Sequence, residues 1–530
     1  MPGLPGRQLL RGAFDFRREG SRLNLVPGQT LSIRSGTYNE VIRPQISGTP
    51  GAPITIKNYG DEVVTITDSP YLDATAWGDY DGYRWGIYTW NVEYITIEGI
   101  VFDNPGNGWG RFVNSNHIIV KDCKFHDAPT SGDVAGLKFV NSHYNQILNN
   151  IIDDGFDNIS LINSNYNLVE GNTVTKADHT LWAIKCGDYN ILRDNYFYNE
   201  YQKIGEVYDC NDPANADMNH FGILDVNATR HNMVEDNIFA GTAVDDGDGP
   251  FNGIQLAGQR TIIRRNVFYK SEGTGIGLQL YSPEADYNLH NRVYHNVFYN
   301  NAGGAIVTGR SNDSAHFGDN VVKNNIMLNN RVMPLGWADD LDSGHQLSHR
   351  NMANFIIEYN CIFTDILPAE NSIYVSYDTR LDVSGAQSSF PSLYMDNLVL
   401  NPMFEEASNH NFLLREGSQM RDAGSFLTTA AGPGIQSNQL VVADATYFSD
   451  GFGIKDGDLI QFEDQAESVQ VTRIDYTTNT LTLNSAMSWN SGDGVALKYS
   501  GTSPDMGAFE YESNNGHQAP PAPVNFHVVD

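Results

Sequence analysis

The chain is expected to be all-β, a right-handed parallel β-helix of about ten or more coils, with a small inserted or appended β-domain near the C-terminus. Three observations predict this. The 530 residues exceed what one compact core usually supports. Charged residues are only 18% while Gly numbers 50, Tyr 27 and Phe 25, a composition suited to many short strands joined by turns. Finally, a short motif recurs along the chain.

The motif is a β-run, a polar pair and usually an asparagine: ITIEGIVF, IIVKDCKF, QILNNIID, LVEGNTV, ILRDNYF, MVEDNIF, IIRRNVF, VYHNVF, VVKNNIM and IIEYNCIF. The recurring positions are Ile100, Cys123, Asn150, Asn172, Asn195, Asn237, Asn266, Asn296, Asn325 and Asn360, most of them 22 to 35 residues apart. A second strand family precedes the runs, in GLKFVNS, NISLINS, LWAIKCG, FGILDVN, NGIQLAG, GIGLQLYS and GAIVTGR. Two or three short strands per interval match one coil of a stacked solenoid, whereas a propeller blade needs about 40 to 50 residues. A stacked asparagine can bond backbone of its own and adjacent coils, so the ladder is structural. The 42-residue gap from Asn195 to Asn237 reads as one coil plus an inserted loop, NEYQKIGEVYDCNDPANADMNH.

The expected organisation is an N-terminal extension (1–22), the β-helix (23–430), a small β-domain (431–500), a closing strand (501–512), then a Pro-rich linker and the start of a further module (513–530). No apolar run is long enough to span a membrane, and the opening residues lack the apolar segment of a secretory signal. A mature, secreted and monomeric form is expected. Of the four cysteines, Cys123 and Cys361 sit in buried-strand patterns, while Cys186 and Cys210 flank one loop and could pair.

The formal charge of -31 argues against a nucleic-acid partner, which needs a basic footprint. It also repels acidic polysaccharides at long range. A polyanionic substrate would therefore require local cations or bound metal.

In NNIIDDGFDN, residues 149–158, Asp153, Asp154 and Asp157 crowd one glycine, and Asp133 is placed at the equivalent turn one coil before. Aspartates at adjacent turns could hold calcium, which takes about six to eight oxygen ligands. Equally, Asx side chains at Asp-Gly turns often bond only local backbone. Strand alternation with Trp182 and Ile184 inward turns Lys185 and Ala183 outward, and puts Asp225 and Asn227 outward one coil later, with Gln279, Tyr281 and Arg310 further along. In the long loop Lys203, Glu206, Tyr208 and Asp209, with His220 after it, are candidates for holding substrate or protonating a leaving oxygen.

The opening stretch from LNLVPGQTLSIRSGTY and the closing SPDMGAFEY resemble bacterial β-helix polysaccharide-degrading enzymes. More specifically, GDVAGLKF, DDGFDN and LWAIKCGDYNILRDNYFYN together resemble the core of the family 9 pectate lyases. That resemblance implies calcium held by Asp153, Asp154 and Asp157, with Asp133 matching the earlier aspartate approximately, and Lys185 as the base. Lys185 ahead of the NILRDNYF run is also similar to family 6 alginate and chondroitin lyases, although their calcium motif is missing. The implied reaction is calcium-assisted β-elimination from a uronate. It requires the Lys185 pKa to fall, and Arg310 could clamp a carboxylate. Two other functions fit the same scaffold: a glycoside hydrolase with paired carboxylates, or a non-catalytic carbohydrate-binding β-helix.

Overall fold

The computed structural model describes residues 8–9, 25–72, 83–128, 136–208, 229–241, 252–278, 287–308, 317–330, 347–349, 355–366, 372–375 and 379–512. The chain divides into two compact units, Met1–Thr229 with Thr242–Asp246, and Arg230–Gly241 with Gly247–Asp530. Both are built from the parallel β-coils that the sequence predicts.

In the first unit one face stacks Thr30–Ile33, Ile54–Asn58, Ile95–Glu98, Ile119–Lys121, Gln146–Leu148, Leu168–Glu170 and Ile191–Arg193, each parallel to the next. A second face stacks Val101–Asp103, Lys124–His126 and the first halves of Ile151–Ile162 and Thr173–Lys185. On the third lie Trp85–Trp90, Gly108–Val113, Leu137–Val140, the second halves of those two long strands, and Lys203–Tyr208. Alternation along each strand turns Ile97, Phe102, Val120, Phe125, Ile147 and Val169 inward, all fully buried. Because equivalent positions in successive coils are neighbours, like side chains stack: Phe102 on Phe125 at 5.0 Å and Phe112 on Phe139 at 4.2 Å between ring centroids.

The asparagine ladder closes the bends. Asn149 (φ 54°), Gly171 (φ 70°) and Asp194 (φ 54°) take the left-handed conformation just before ladder positions. There the Asn150 Oδ1 accepts the Cys123 N–H, Asn172 that of Asn150, and Asn195 that of Asn172, each at 2.9 Å. The second unit continues the pattern from Asn237 through Asn266, Asn296, Asn325 and Asn360 to Asn397. A parallel ladder that the repeat did not single out runs through Asn145, Asn167 and Asn190.

The second unit carries coils on Met233–Glu235, Ile262–Arg264, Arg292–Tyr294, Asn320–Lys323, Phe355–Glu358 and Tyr394–Met395. Its small β-domain is a six-stranded antiparallel sheet formed within 428–497, close to the expected span. Buried arginines fasten it to the coils: Arg264 makes a bidentate pair with Asp458 (2.8 and 2.6 Å), and Arg292 reaches Asp444 at 2.8 Å. The expected closing strand does not form. Residues 501–512 run as irregular chain tied by Gly507 N–H to the Asn324 carbonyl. The expected N-terminal extension, apart from Gln8–Leu9, and the linker after 512 lie outside the described residues.

Candidate functional site

Two adjoining strands of the first unit decide the site. The sequence suggested a glycine turn at DDGFDN, but Ile151–Ile162 is one continuous strand paired with Thr173–Lys185. Tight packing requires the glycine: a Cβ on Gly155 would lie 2.8 Å from the Trp109 ring. The register then slips. Gly155 opposes Ala177 and Asp157 opposes Thr180, so the partner strand holds one extra residue. This β-bulge contains Asp178 and His179, and bulges re-aim side chains.

Beyond the bulge, alternation holds in part, since Ala183, expected outward, is buried as well. Trp182 and Ile184 are buried inward, and Lys185 faces outward, partly exposed. The coil that follows Lys185, however, is Lys203–Tyr208, with Glu206 opposite Ala183 and Tyr208 opposite Lys185. KIGEVY is therefore a regular strand instead of part of an inserted loop. Glu206 and Tyr208 occupy the positions that alternation had assigned to Asp225 and Asn227.

The result is a compact charged cluster on one face of adjacent coils. Asp157 is its centre: Lys138 Nζ lies 2.8 Å from Oδ2 and His179 Nδ1 lies 2.6 Å from Oδ1. Glu206, fully buried, has Lys203 Nζ at 2.5 Å and Lys185 Nζ at 3.4 Å. Both contacts are ion pairs between opposite full charges. Lys185 also lies over the Tyr208 ring, 5.3 Å from its centroid. Arg111 stands opposite Lys138 on the neighbouring coil. Three lysine ammonium groups thus surround two carboxylates in a chain whose net charge is -31.

The protonation states follow from this packing. Burial alone would raise the Asp157 pKa, but Lys138, Lys185 and His179 outweigh it and hold the carboxyl well below its usual range. Burial likewise opposes ionisation of Glu206, and Lys203 and Lys185 reverse the shift downward. For Lys185 burial would lower the pKa, yet Glu206, Asp157 and Tyr208 overcome it and push it up. The base role expected of Lys185 needed the opposite shift. Near neutral pH this side chain is an ammonium.

Asp157 does not fit the calcium role expected of it, since ammonium and imidazole groups take both of its oxygens. Asp153 Oδ1 accepts the Thr175 hydroxyl at 2.6 Å. Asp154 sits at φ 67°, its pKa raised by burial and then by Asp153 and Asp127. Among the described residues no three His, Cys, Asp or Glu side chains converge as a metal site. Asp133, Asp209, His220, Asp225, Asn227, Gln279, Tyr281 and Arg310 lie outside the described residues.

Sequence reasoning missed Lys138, His179 and Arg111. Lys138, in GLKFVNS, sits in the same strand family as Lys185, which was a usable signal. His179 carried none, because a bulge is a property of two paired strands. Cys186 is disulfide-bonded, Cys123 and Cys361 are free and buried, and the expected partner Cys210 lies outside the described residues.

A family model described as periplasmic copper-binding protein (NosD) matches residues 65–205, well under half of the chain. The uncharacterized protein YwoF of Bacillus subtilis (strain 168) is 31% identical over 112 residues, which is 20% of this chain and 23% of that protein. The chain thus matches less than a quarter of that relative's length. Among solved structures, pectate lyase Pel9A is similar at 14% identity and a TM-score of 0.40, covering 92% of this chain and 89% of its own. The family 6 polysaccharide lyase Pedsa3628 from Pseudopedobacter saltans is similar at 13% and 0.38, covering 72% and 94%. XylC in complex with xylose is similar at 11% and 0.41, covering 90% and 95%. None of these values bears on which reaction this chain performs.

Proposed function

We propose that this chain is a polysaccharide lyase that cleaves a uronate-containing polymer by β-elimination. The observation that carries the reading is the concentration of Lys138, Lys185 and Lys203 around Asp157 and Glu206 on adjoining coils. In so acidic a protein, a local excess of positive charge is what an anionic polymer needs to bind. An ammonium against the substrate's C6 carboxylate also offsets charge that develops when the C5 proton leaves.

A glycoside hydrolase is disfavoured by the same electrostatics. That reaction requires one carboxyl group to be kept protonated as general acid, and the lysines hold both Asp157 and Glu206 ionised. The Cys186 disulfide favours an oxidising compartment, in keeping with secretion. Among the described residues no helix is long and apolar enough to cross a membrane.

The test is incubation of the purified protein with pectate, alginate and chondroitin, following unsaturated-uronate absorbance and reducing ends. Reducing ends without unsaturation would identify a hydrolase. Absence of both, alongside retained polymer binding, would identify a non-catalytic binding protein.

A further inference from the structure

We propose that His179 is the proton acceptor of the elimination and that Asp157 is its positioning residue. The inference rests on the lyase reading and deepens it. It starts from the bulge: the extra residue in Thr173–Lys185 turns His179 onto Asp157, 2.6 Å from Nδ1 to Oδ1. Phe156 stacks on the imidazole at 5.3 Å between centroids and 17° between planes, which fixes the ring's plane. The ring is therefore held by one hydrogen bond and one stacking contact.

The hydrogen bond has a defined polarity. Asp157 is an ionised, acceptor-only group, because Lys138 and Lys185 compensate its charge. In the neutral imidazole Nδ1 then carries the proton that it shares with Asp157, and the lone pair is on Nε2. The groups facing this pair are Lys138 and Lys185, with Glu206 also within electrostatic reach of His179. Accessibility points the same way: the His179 side chain is 29% exposed, against 19% for Lys185 and 2% for Lys138. It is thus more reachable than either lysine, and its neutral form presents a free lone pair.

The step balances without any further reactant. His179 Nε2 forms a bond to the C5 proton, and the C5–H electron pair becomes the C4–C5 double bond. The C4–O4 bond breaks, O4 leaves with its electron pair, and water protonates it. The imidazolium then releases its proton to the hydroxide so formed. Lys185, as an ammonium, faces the C6 carboxylate throughout.

The experiment uses the full chain and whichever uronan it cleaves. In His179→Gln, kcat is expected to fall at least 100-fold with KM changed less than threefold, while the far-ultraviolet spectrum and melting transition persist. In Asp157→Asn, kcat is expected to fall with KM retained. Since Asp157 is buried, a second measurement stands apart from folding of that variant: 15N chemical shifts of His179 in the wild type should report the Nδ1–H tautomer. Wild-type elimination with an undiminished kcat in His179→Gln, or an Nε2–H tautomer, overturns the assignment while leaving the lyase reading intact. A wild type that forms no unsaturated product from any uronan overturns the lyase reading, and the assignment with it.

Discussion

Lys138 and Asp157, on strands one coil apart, form an ion pair at 2.8 Å with both side chains almost wholly removed from solvent. Gly136 allows this approach. It sits at φ 109°, and a Cβ there would lie 1.8 Å from the Asp157 carbonyl oxygen. Removing one partner of such a pair leaves a buried charge, which costs about 3 to 5 kcal/mol. Lys138→Met is therefore expected to lower stability toward the lower end of that range, because His179 still pairs with Asp157. Urea unfolding of variant and wild type measures it, and a change below about 1 kcal/mol would show that the pair matters little.

Lys185 is expected to act through its charge. For Lys185→Ala we expect KM for the cleaved uronan to rise about tenfold, the equivalent of one contact worth about 1.4 kcal/mol, with kcat reduced by a smaller factor. A base would give the reverse split, a collapsed kcat at nearly constant KM. Steady-state kinetics on the two proteins distinguish these outcomes.

Chelation supplies an independent check on Asp157. With both of its oxygens engaged by Lys138 and His179, elimination is expected to keep at least half its rate after treatment with excess EGTA. Complete loss, restored by calcium, would mean that the aspartates rearrange to bind the ion.

Stability of the second unit should fall as pH rises. Burial and then Asp505 push the Glu510 pKa up to about 8, while burial is the largest cause raising Asp505 to about 6. A folded-state pKa above the unfolded value means that the folded form binds the extra proton, so this contribution is complete below the unfolded pKa, about 4.3 for Glu. It is lost progressively as pH climbs through 8. Melting temperatures from pH 4.5 to 9 should decline, and Glu510→Gln should flatten the decline.

The asparagine ladder gives a prediction about the fold alone. Asn172 accepts from the Asn150 backbone and side chain and donates to the Ile147 and Glu170 carbonyls. Asn172→Ala leaves buried backbone groups unpaired, at about 1 to 3 kcal/mol each, so a loss of at least about 2 kcal/mol is expected in chemical denaturation. Substituting exposed Tyr144, on the same coil as Asn150, should change little by comparison.

The sequence by itself determined the coil. The spacing of Asn150, Asn172 and Asn195 is visible because each coil must meet the same hydrogen-bonding need at the same bend, so one residue type recurs at nearly the coil's length. The alternation that buries Trp182 and Ile184 and turns Lys185 outward is equally local, a consequence of the two-residue period of a strand. Tertiary structure decided what those outward residues do. Whether DDGFDN is a turn or a strand depends on pairing with Thr173–Lys185, and the bulge that brings His179 to Asp157 is a mismatch in length between two strands. Nor does a strand pattern carry protonation. Lys185 in AIKCG reads as a lysine whose pKa must fall, and only the folded neighbours Glu206 and Asp157 reverse the direction. Electrostatic fields sum over every charge nearby in space, which is why the ladder was legible one strand at a time and the site was not.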